Sequence, residues 1–292
     1  MNRSLAASIR VLLSTCLALA AAWAVAADPA GETLKAVKAR NVFVIGYLQD
    51  AYPMSFVNKE GQPAGYSIDL CLAIAEDVSK AAGLDSIKIK FVPLKLEERF
   101  DAVATGKVDI ECGTSTMTLS RMKKVDFTNT IFLDGGSFLV KKGSAISSIP
   151  ALVDETVAVI PGTTTEKSLR EALAKKFVKA KVMEVKNHAE GMAALESGTA
   201  GAYASDRVLL VGLLLSTKNT ENFAMMNEQF SYEPYGFAVR RNDADFRLVA
   251  NTALARLSRT GQVFKIFDHW FGAIGKPNPG LLSMYLINAI PE

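Results

Sequence analysis

The residues best suited to chemistry lie in one stretch, Asp109-Ile110-Glu111-Cys112-Gly113-Thr114-Ser115-Thr116-Met117-Thr118-Leu119-Ser120-Arg121, which continues to Phe127. Val108, Ile110 and Cys112 read as a short buried strand. The hydroxyls of Thr114, Ser115, Thr116, Thr118 and Ser120 form a turn, and Arg121 stands at the start of a helix. A helix start leaves backbone N–H groups without partners, and short hydroxyls gather there. Arg121 adds a planar five-donor fork that matches a carboxylate. Together these groups suit a small carboxylic acid. They equally make a capped surface helix with a solvated arginine, and the motif alone does not separate the two.

Other chemistry finds less support. The chain has two histidines, His188 and His269, far apart and without neighbouring ligand patterns, so no metal and no cofactor is expected. Cys71 and Cys112 have no CxxC spacing. In an oxidising compartment they could bridge, or they could sit as small buried hydrophobes. With 33 basic and 30 acidic residues the net charge is +3, which favours neither nucleic acid nor an anionic membrane as partner.

The N-terminus reads as a processing signal. Arg3 and Arg10 precede an apolar run from Val11 to Val25, and Ala24-Val25-Ala26 is a small-x-small cleavage pattern, so residues 1–26 form a signal peptide. The run is too short and too alanine-rich for a membrane span. Cys16 follows Thr15 with much of the run still to come, so simple secretion is preferred over lipoprotein anchoring. Residues 27–292 suffice for two modest lobes or one large domain.

The elements that must position the chemistry alternate. Val42 to Gly46 is a first strand, followed by a loop from Tyr47 to Phe56. Leu70, Ala73, Ile74, Val78 and Ala81 repeat at helical spacing until Gly83. A strand over Ile87 to Val92, a helix over Glu97 to Thr105 and the strand over Val108 to Cys112 follow. This βαβα order predicts a mostly parallel sheet flanked by helices, with ligands beyond the C-terminal strand ends. Ile131 to Val140 is a crossover. A second series begins at Thr156 to Ile160, and Thr163 and Glu166 have capping-box spacing for a helix to about Phe177. A strand over Lys181 to Val185, a helix over His188 to Glu196, a strand over Ala200 to Ala204 and an apolar helix opened by Asp206 complete it. Tyr235 to Arg240 is the return crossover. Helices over Ala244 to Arg259 and Val263 to Phe271 precede a tail from Gly275, rich in Gly and Pro, that wraps the surface.

These residues resemble the type II periplasmic solute-binding proteins of polar amino-acid ABC importers, solute-binding protein family 3, above all the glutamate/aspartate-binding members. The resemblance rests on Gly65-Tyr66-Ser67-Ile68-Asp69-Leu70, Asp109 to Gly113 with Arg121, and Gly162-Thr163-Thr164-Thr165-Glu166. Leu195-Glu196-Ser197-Gly198 with Asp206, and Tyr235-Gly236, complete it. Ser67 departs from many relatives, which carry an acid there. The resemblance implies an α/β fold of two lobes joined by two crossover segments and closing by hinge motion. Residues 34–135 plus 237–285 would form lobe 1, residues 136–236 lobe 2, and 286–292 a C-terminal tail. It also implies a periplasmic monomer that hands an amino acid to an inner-membrane permease.

By the same resemblance, Arg121 would clamp an α-carboxylate with help from Thr114 and Thr116. Thr163 and Thr164 would complete the cradle at a helix N-terminus, and Asp206 would accept the α-ammonium. Arg99 and His188 match two of three groups that hold a distal carboxylate in glutamate-type relatives. The third is Leu48 here, and a supporting serine is Leu96. With Asp50 also near, a neutral polar or bulkier side chain competes with glutamate or aspartate. Arg99 as a structural ion-pair partner, His188 as an ordinary helix-start residue and Asp206 as a helix cap are the bland alternatives. An enzyme on this scaffold, such as a cyclohexadienyl-type dehydratase, would need a general acid, for which Glu111 and His188 are the candidates. A fused transglycosylase or a sensor domain finds no accompanying segment in this sequence.

Overall fold

The apolar runs separated by glycine stops do become strands and helices in alternation. A computed structural model describes residues 31–291 apart from Lys218, so the expected signal peptide, residues 1–26, lies outside the described residues. The chain opens with helix α1 (Glu32–Arg40), then β1 (Val42–Tyr47), and three short strands, β2 (Asp50–Ala51), β3 (Ser55–Val57) and β4 (Pro63–Ala64). Helix α2 (Tyr66–Ala81), β5 (Lys88–Pro93), α3 (Arg99–Ala104), β6 (Ile110–Glu111) and β7 (Val125–Phe127) follow. Next come β8 (Phe132–Asp134), β9 (Gly136–Lys141), β10 (Thr156–Val159), α4 (Thr164–Lys175), β11 (Lys181–Glu184), α5 (His188–Ser197), β12 (Ala202–Asp206), α6 (Arg207–Ser216) and β13 (Phe223–Met225). The chain returns through β14 (Glu233–Tyr235) and β15 (Ala238–Arg240) to α7 (Ala244–Arg259), α8 (Gln262–Phe271) and α9 (Pro279–Asn288).

Two five-stranded sheets result, ordered β5-β1-β6-β15-β7 and β11-β10-β12-β9-β13. In the first, β1 runs parallel to β5 and β6. In the second, β10 runs parallel to β11 and β12. The returning strands β15 and β9 pair antiparallel with their neighbours. Between the sheets, β8 and β14 pair antiparallel with Glu233 opposite Asp134 and Tyr235 opposite Phe132. β8 lies inside the crossover expected over Ile131 to Val140, whereas β14 meets the return crossover expected over Tyr235 to Arg240 only at Tyr235, because Ala238–Arg240 is β15 of the first sheet. The fold is the expected α/β arrangement of two sheets, each flanked by helices.

Alternation sets which residues enter which core. In β9, Phe138 and Val140 join Val157, Val159 and Leu169 on one face, whereas Leu139 joins Ala158, Leu195 and Tyr203 on the other. A sheet buried on both faces reads as a continuous apolar run. The first sheet packs Phe43 and Ile45 against Ile74 of α2 and Phe246 of α7. Cys71 and Cys112 form a disulfide, with their Cα atoms 6.4 Å apart, and tie α2 to the end of β6. Among the described residues no helix is long and apolar enough to cross a membrane.

The structure corrects three expectations. Arg121 does not start an α-helix: Arg121–Lys123 is one 3₁₀ turn, because the chain must reverse into β7 at Val125. The loop after β1 contains a three-stranded antiparallel sheet, β2-β3-β4. The tail does not simply wrap the surface, since α9 spans Pro279–Asn288 and buries Leu281, Met284 and Tyr285 in the first core. Its Asn278 side chain accepts from the Leu281 N–H at 2.9 Å, an N-cap that the Pro279 at the first helical position reinforces.

Candidate functional site

Parallel strands deliver their C-terminal ends to the same side of a sheet, and the two sheets direct those ends at each other. Between them lies a cavity of about 570 Å³. Leu48 arrives after β1, Arg99 at the start of α3, and Thr114, Thr116 and Arg121 after β6. Thr163 and Thr164 arrive after β10, His188 at the start of α5, and Asp206 at the end of β12. All nine residues singled out in the sequence line this one cavity. Gly113 lets the chain turn after β6: a Cβ there would lie 2.2 Å from a Glu111 carboxylate oxygen and 3.0 Å from Leu48. Ser67, fully buried, donates its hydroxyl to the Gly113 carbonyl at 2.8 Å and fixes that turn from below.

At one end of the cavity opposite charges face each other. Arg121 donates to the Thr116 carbonyl at 2.7 Å and lies over the Phe100 ring at 5.1 Å. Burial pushes its pKa down, while Glu233, Glu111 and Asp206 hold it up. Thr163 caps α4, accepting from the Glu166 N–H at 3.0 Å, and the Glu166 carboxylate reaches back to the Gly162 N–H at 2.8 Å. Thr164 and Thr165, the first helical residues, have N–H groups without acceptors inside the helix. The hydroxyls of Thr116 and Thr164 both donate to Glu233, at 2.6 and 2.7 Å.

Asp206 occupies the N-cap position of α6 but makes no capping bond. Its carboxylate instead accepts from the hydroxyls of Thr165 and Tyr235. The cap comes from Asp134, which accepts from the Val208 N–H at 2.9 Å. Burial, and then the neighbouring Glu233, push the Asp206 pKa up to about 6. Burial and Asp206 push Asp134 to about 8. The site therefore holds an acid whose charge is undercompensated until a cation arrives.

The other end is less charged than the sequence suggests. Arg99 is 4% exposed and donates to Ser115 at 2.9 Å and to the Leu96 carbonyl. Ser115 relays to Glu111 at 2.7 Å, and burial brings Arg99 down to about 10 although Glu111 opposes this. His188 shares a hydrogen bond with Tyr203 at 2.8 Å, and burial pushes its pKa down against the pull of Asp50. Leu48, Leu94 and Leu96 line the same region, with Asp50, Lys95, Glu97 and Lys186 exposed at its edge. Sequence reasoning missed Glu233, Tyr235 as a partner of Asp206, and the Arg99–Ser115–Glu111 relay. An acid inside an otherwise apolar crossover, Glu233-Pro234-Tyr235, was the signal available for the first.

Comparison with known proteins matches residues 43–273 to bacterial extracellular solute-binding proteins, family 3. The chain belongs to this family. It is similar to an L-glutamate/L-aspartate-binding protein of Pseudomonas aeruginosa, with 36% identity over 89% of this chain and 87% of the relative. A glutamate/aspartate import solute-binding protein of Salmonella typhimurium is 33% identical over 84% of this chain and 81% of its own length. Among solved structures, an ancestral amino acid-binding protein described as a precursor of cyclohexadienyl dehydratase superposes with a TM-score of 0.69 at 32% identity. That match covers 82% of this chain and 99% of the other. In this family 3 solute-binding protein the cavity is lined by residues that follow strands of both sheets.

Proposed function

We propose that this family 3 protein is the periplasmic amino-acid-binding component of an ABC importer. The observation that carries this reading is the pairing of Arg121 with Asp206 on opposite sides of one cavity. A free amino acid presents a carboxylate and an ammonium on one carbon. Arg121 and the N-terminus of α4 answer the carboxylate, and Asp206 answers the ammonium. The groups come from both sheets, so a ligand that touches all of them favours the closed arrangement by its differential contacts. Signal-peptide cleavage, action as a monomer, and delivery to an inner-membrane permease complete the proposal.

For the side chain, the glutamate- and aspartate-binding relatives and the presence of Arg99 favour an acidic amino acid. The aliphatic patch of Leu48, Leu94 and Leu96, with a His188 driven toward its neutral form, supports a neutral polar side chain as the second reading. The dehydratase alternative finds little support. Glu111 is fully buried behind Ser115, away from the cavity lining, and His188 is engaged by Tyr203. Calorimetric titration of refolded, ligand-stripped protein with glutamate, aspartate, glutamine and asparagine tests the proposal. Saturable binding of one of them without turnover is expected. Binding of none, or chemical conversion of any, overturns it.

A further inference from the structure

One carboxylate joins the two halves of the molecule beside the cavity. Glu233, the first residue of β14, is 1% exposed. One of its oxygens accepts from the hydroxyl of Thr116 at 2.6 Å and from that of Thr164 at 2.7 Å. Thr116 follows β6 of the first sheet, and Thr164 opens α4 beside the second. Their hydroxyls lie 3.2 Å apart. The other oxygen accepts from Ser231 at 2.7 Å, and Ser231 in turn accepts from the Gly136 N–H at 2.8 Å, at the start of β9. The clasp is thus anchored on the crossover and reaches both sheets. Hydrogen bonds to an ionised acceptor away from water are among the stronger polar contacts in proteins.

We infer that Glu233 is a positioning residue that clasps the two halves around the cavity before any ligand arrives. A hydroxyl has one proton to donate. With both protons given to Glu233, Thr116 and Thr164 cannot also donate to a ligand carboxylate, and they serve binding by holding the halves together. The anion then depends on Arg121 and on the first N–H groups of α4. The clasp stands independently of the ligand, whereas its effect on affinity rests on the amino-acid reading above.

The test compares the parent with Glu233→Gln, Thr164→Val and the double variant by small-angle X-ray scattering and calorimetry. L-glutamate and L-glutamine are the probes. Without ligand, Glu233→Gln is expected to show a larger radius of gyration than the parent and to regain the parent's value when saturated. Its affinity falls about tenfold or more, through faster dissociation with encounter unchanged. Thr164→Val acts in the same direction, and the double variant loses less than the product of the single losses. An unchanged ligand-free radius, unchanged or tighter affinity, or multiplicative losses overturn the clasp. If neither probe binds the parent, the amino-acid reading fails, while the ligand-free radii still decide the clasp. Should Glu233→Gln fail to fold, Thr164→Val carries the same comparison.

Discussion

Arg121 donates to a backbone carbonyl and to no carboxylate among the described residues within ion-pair distance. A carboxylate entering the cavity can therefore reach the guanidinium without displacing an existing salt bridge. Removing it would leave that carboxylate buried and unpaired, which costs roughly 2–5 kcal/mol. Arg121→Ala should weaken amino-acid binding from about 30-fold to several thousand-fold in Kd. Calorimetry that finds the variant within threefold of the parent would remove Arg121 from the site. Asp206 and Asp134 give a pH dependence of opposite sign for stability and for binding. Burial raises both above the ordinary aspartate range, to about 6 and about 8. At these two groups the folded, ligand-free protein binds protons more readily than the unfolded chain, whereas the buried His188 binds them less readily, so the two aspartates raise the melting temperature from pH 8 down to about 5 against the one opposing histidine. Glu166 and Glu228, whose pKa values are lowered by Arg170 and Lys176, lose stabilising charge only at lower pH. Binding an ammonium requires Asp206 ionised, so affinity should fall below about pH 6 with proton release in calorimetry. A melting temperature and an affinity that fall together over that range would contradict this assignment.

At the scale of elements, the strand ends carry the site, and helix α6, which lends Leu209 to the cavity, also touches the first half of the molecule. Gly212 in α6 packs against the loop after β2: a Cβ there would lie 2.0 Å from the Tyr52 carbonyl oxygen and 3.1 Å from Pro53. This contact joins the second half to the first, away from the Glu233 clasp. Alanine favours a helix interior over glycine by about 1 kcal/mol, so the helix itself gains from Gly212→Ala. The close approach does not. With the halves clasped in the absence of ligand, the variant should show a larger ligand-free radius of gyration than the parent and bind its amino acid more weakly. An unchanged radius with unchanged affinity would show that the close approach at Gly212 plays no part in closure. The element boundaries also show where periodicity fails as a guide. Ser120-Arg121-Met122-Lys123-Lys124 contains good helix formers, yet β7 begins at Val125 and leaves room for one 3₁₀ turn. Local propensity lost to strand pairing across the sheet. In α1 the apolar positions Leu34 and Val37 make too short a pattern to register, although both are buried.

For the whole molecule, the alternation of apolar strands with glycine-stopped helices made two α/β sheets legible, and the strand ends located the cavity. All nine expected residues line it: Leu48, Arg99, Thr163, Thr164, His188 and Asp206 lie at a strand end or a helix start, positions that sequence pattern marks well, and Thr114, Thr116 and Arg121 come from the hydroxyl-rich turn after β6. Partners within the cavity were less legible. The Arg99–Ser115–Glu111 relay and the joining of Thr116 to Thr164 through Glu233 depend on contacts between residues up to 117 positions apart, which no local pattern encodes. The disulfide had the same status, since Cys71 and Cys112 lie 41 residues apart and local pattern is equally compatible with a bridge or with two buried thiols. Recognition of both charged ends of an amino acid by groups from the two sheets is tested most directly by calorimetric titration of the ligand-stripped protein with the tightest amino acid of the panel and with its N-acetyl derivative. The account predicts that acetylation, which removes the ammonium and leaves Asp206 unanswered, weakens binding by about 30-fold or more. An N-acetyl derivative that binds as tightly as the free amino acid would contradict it.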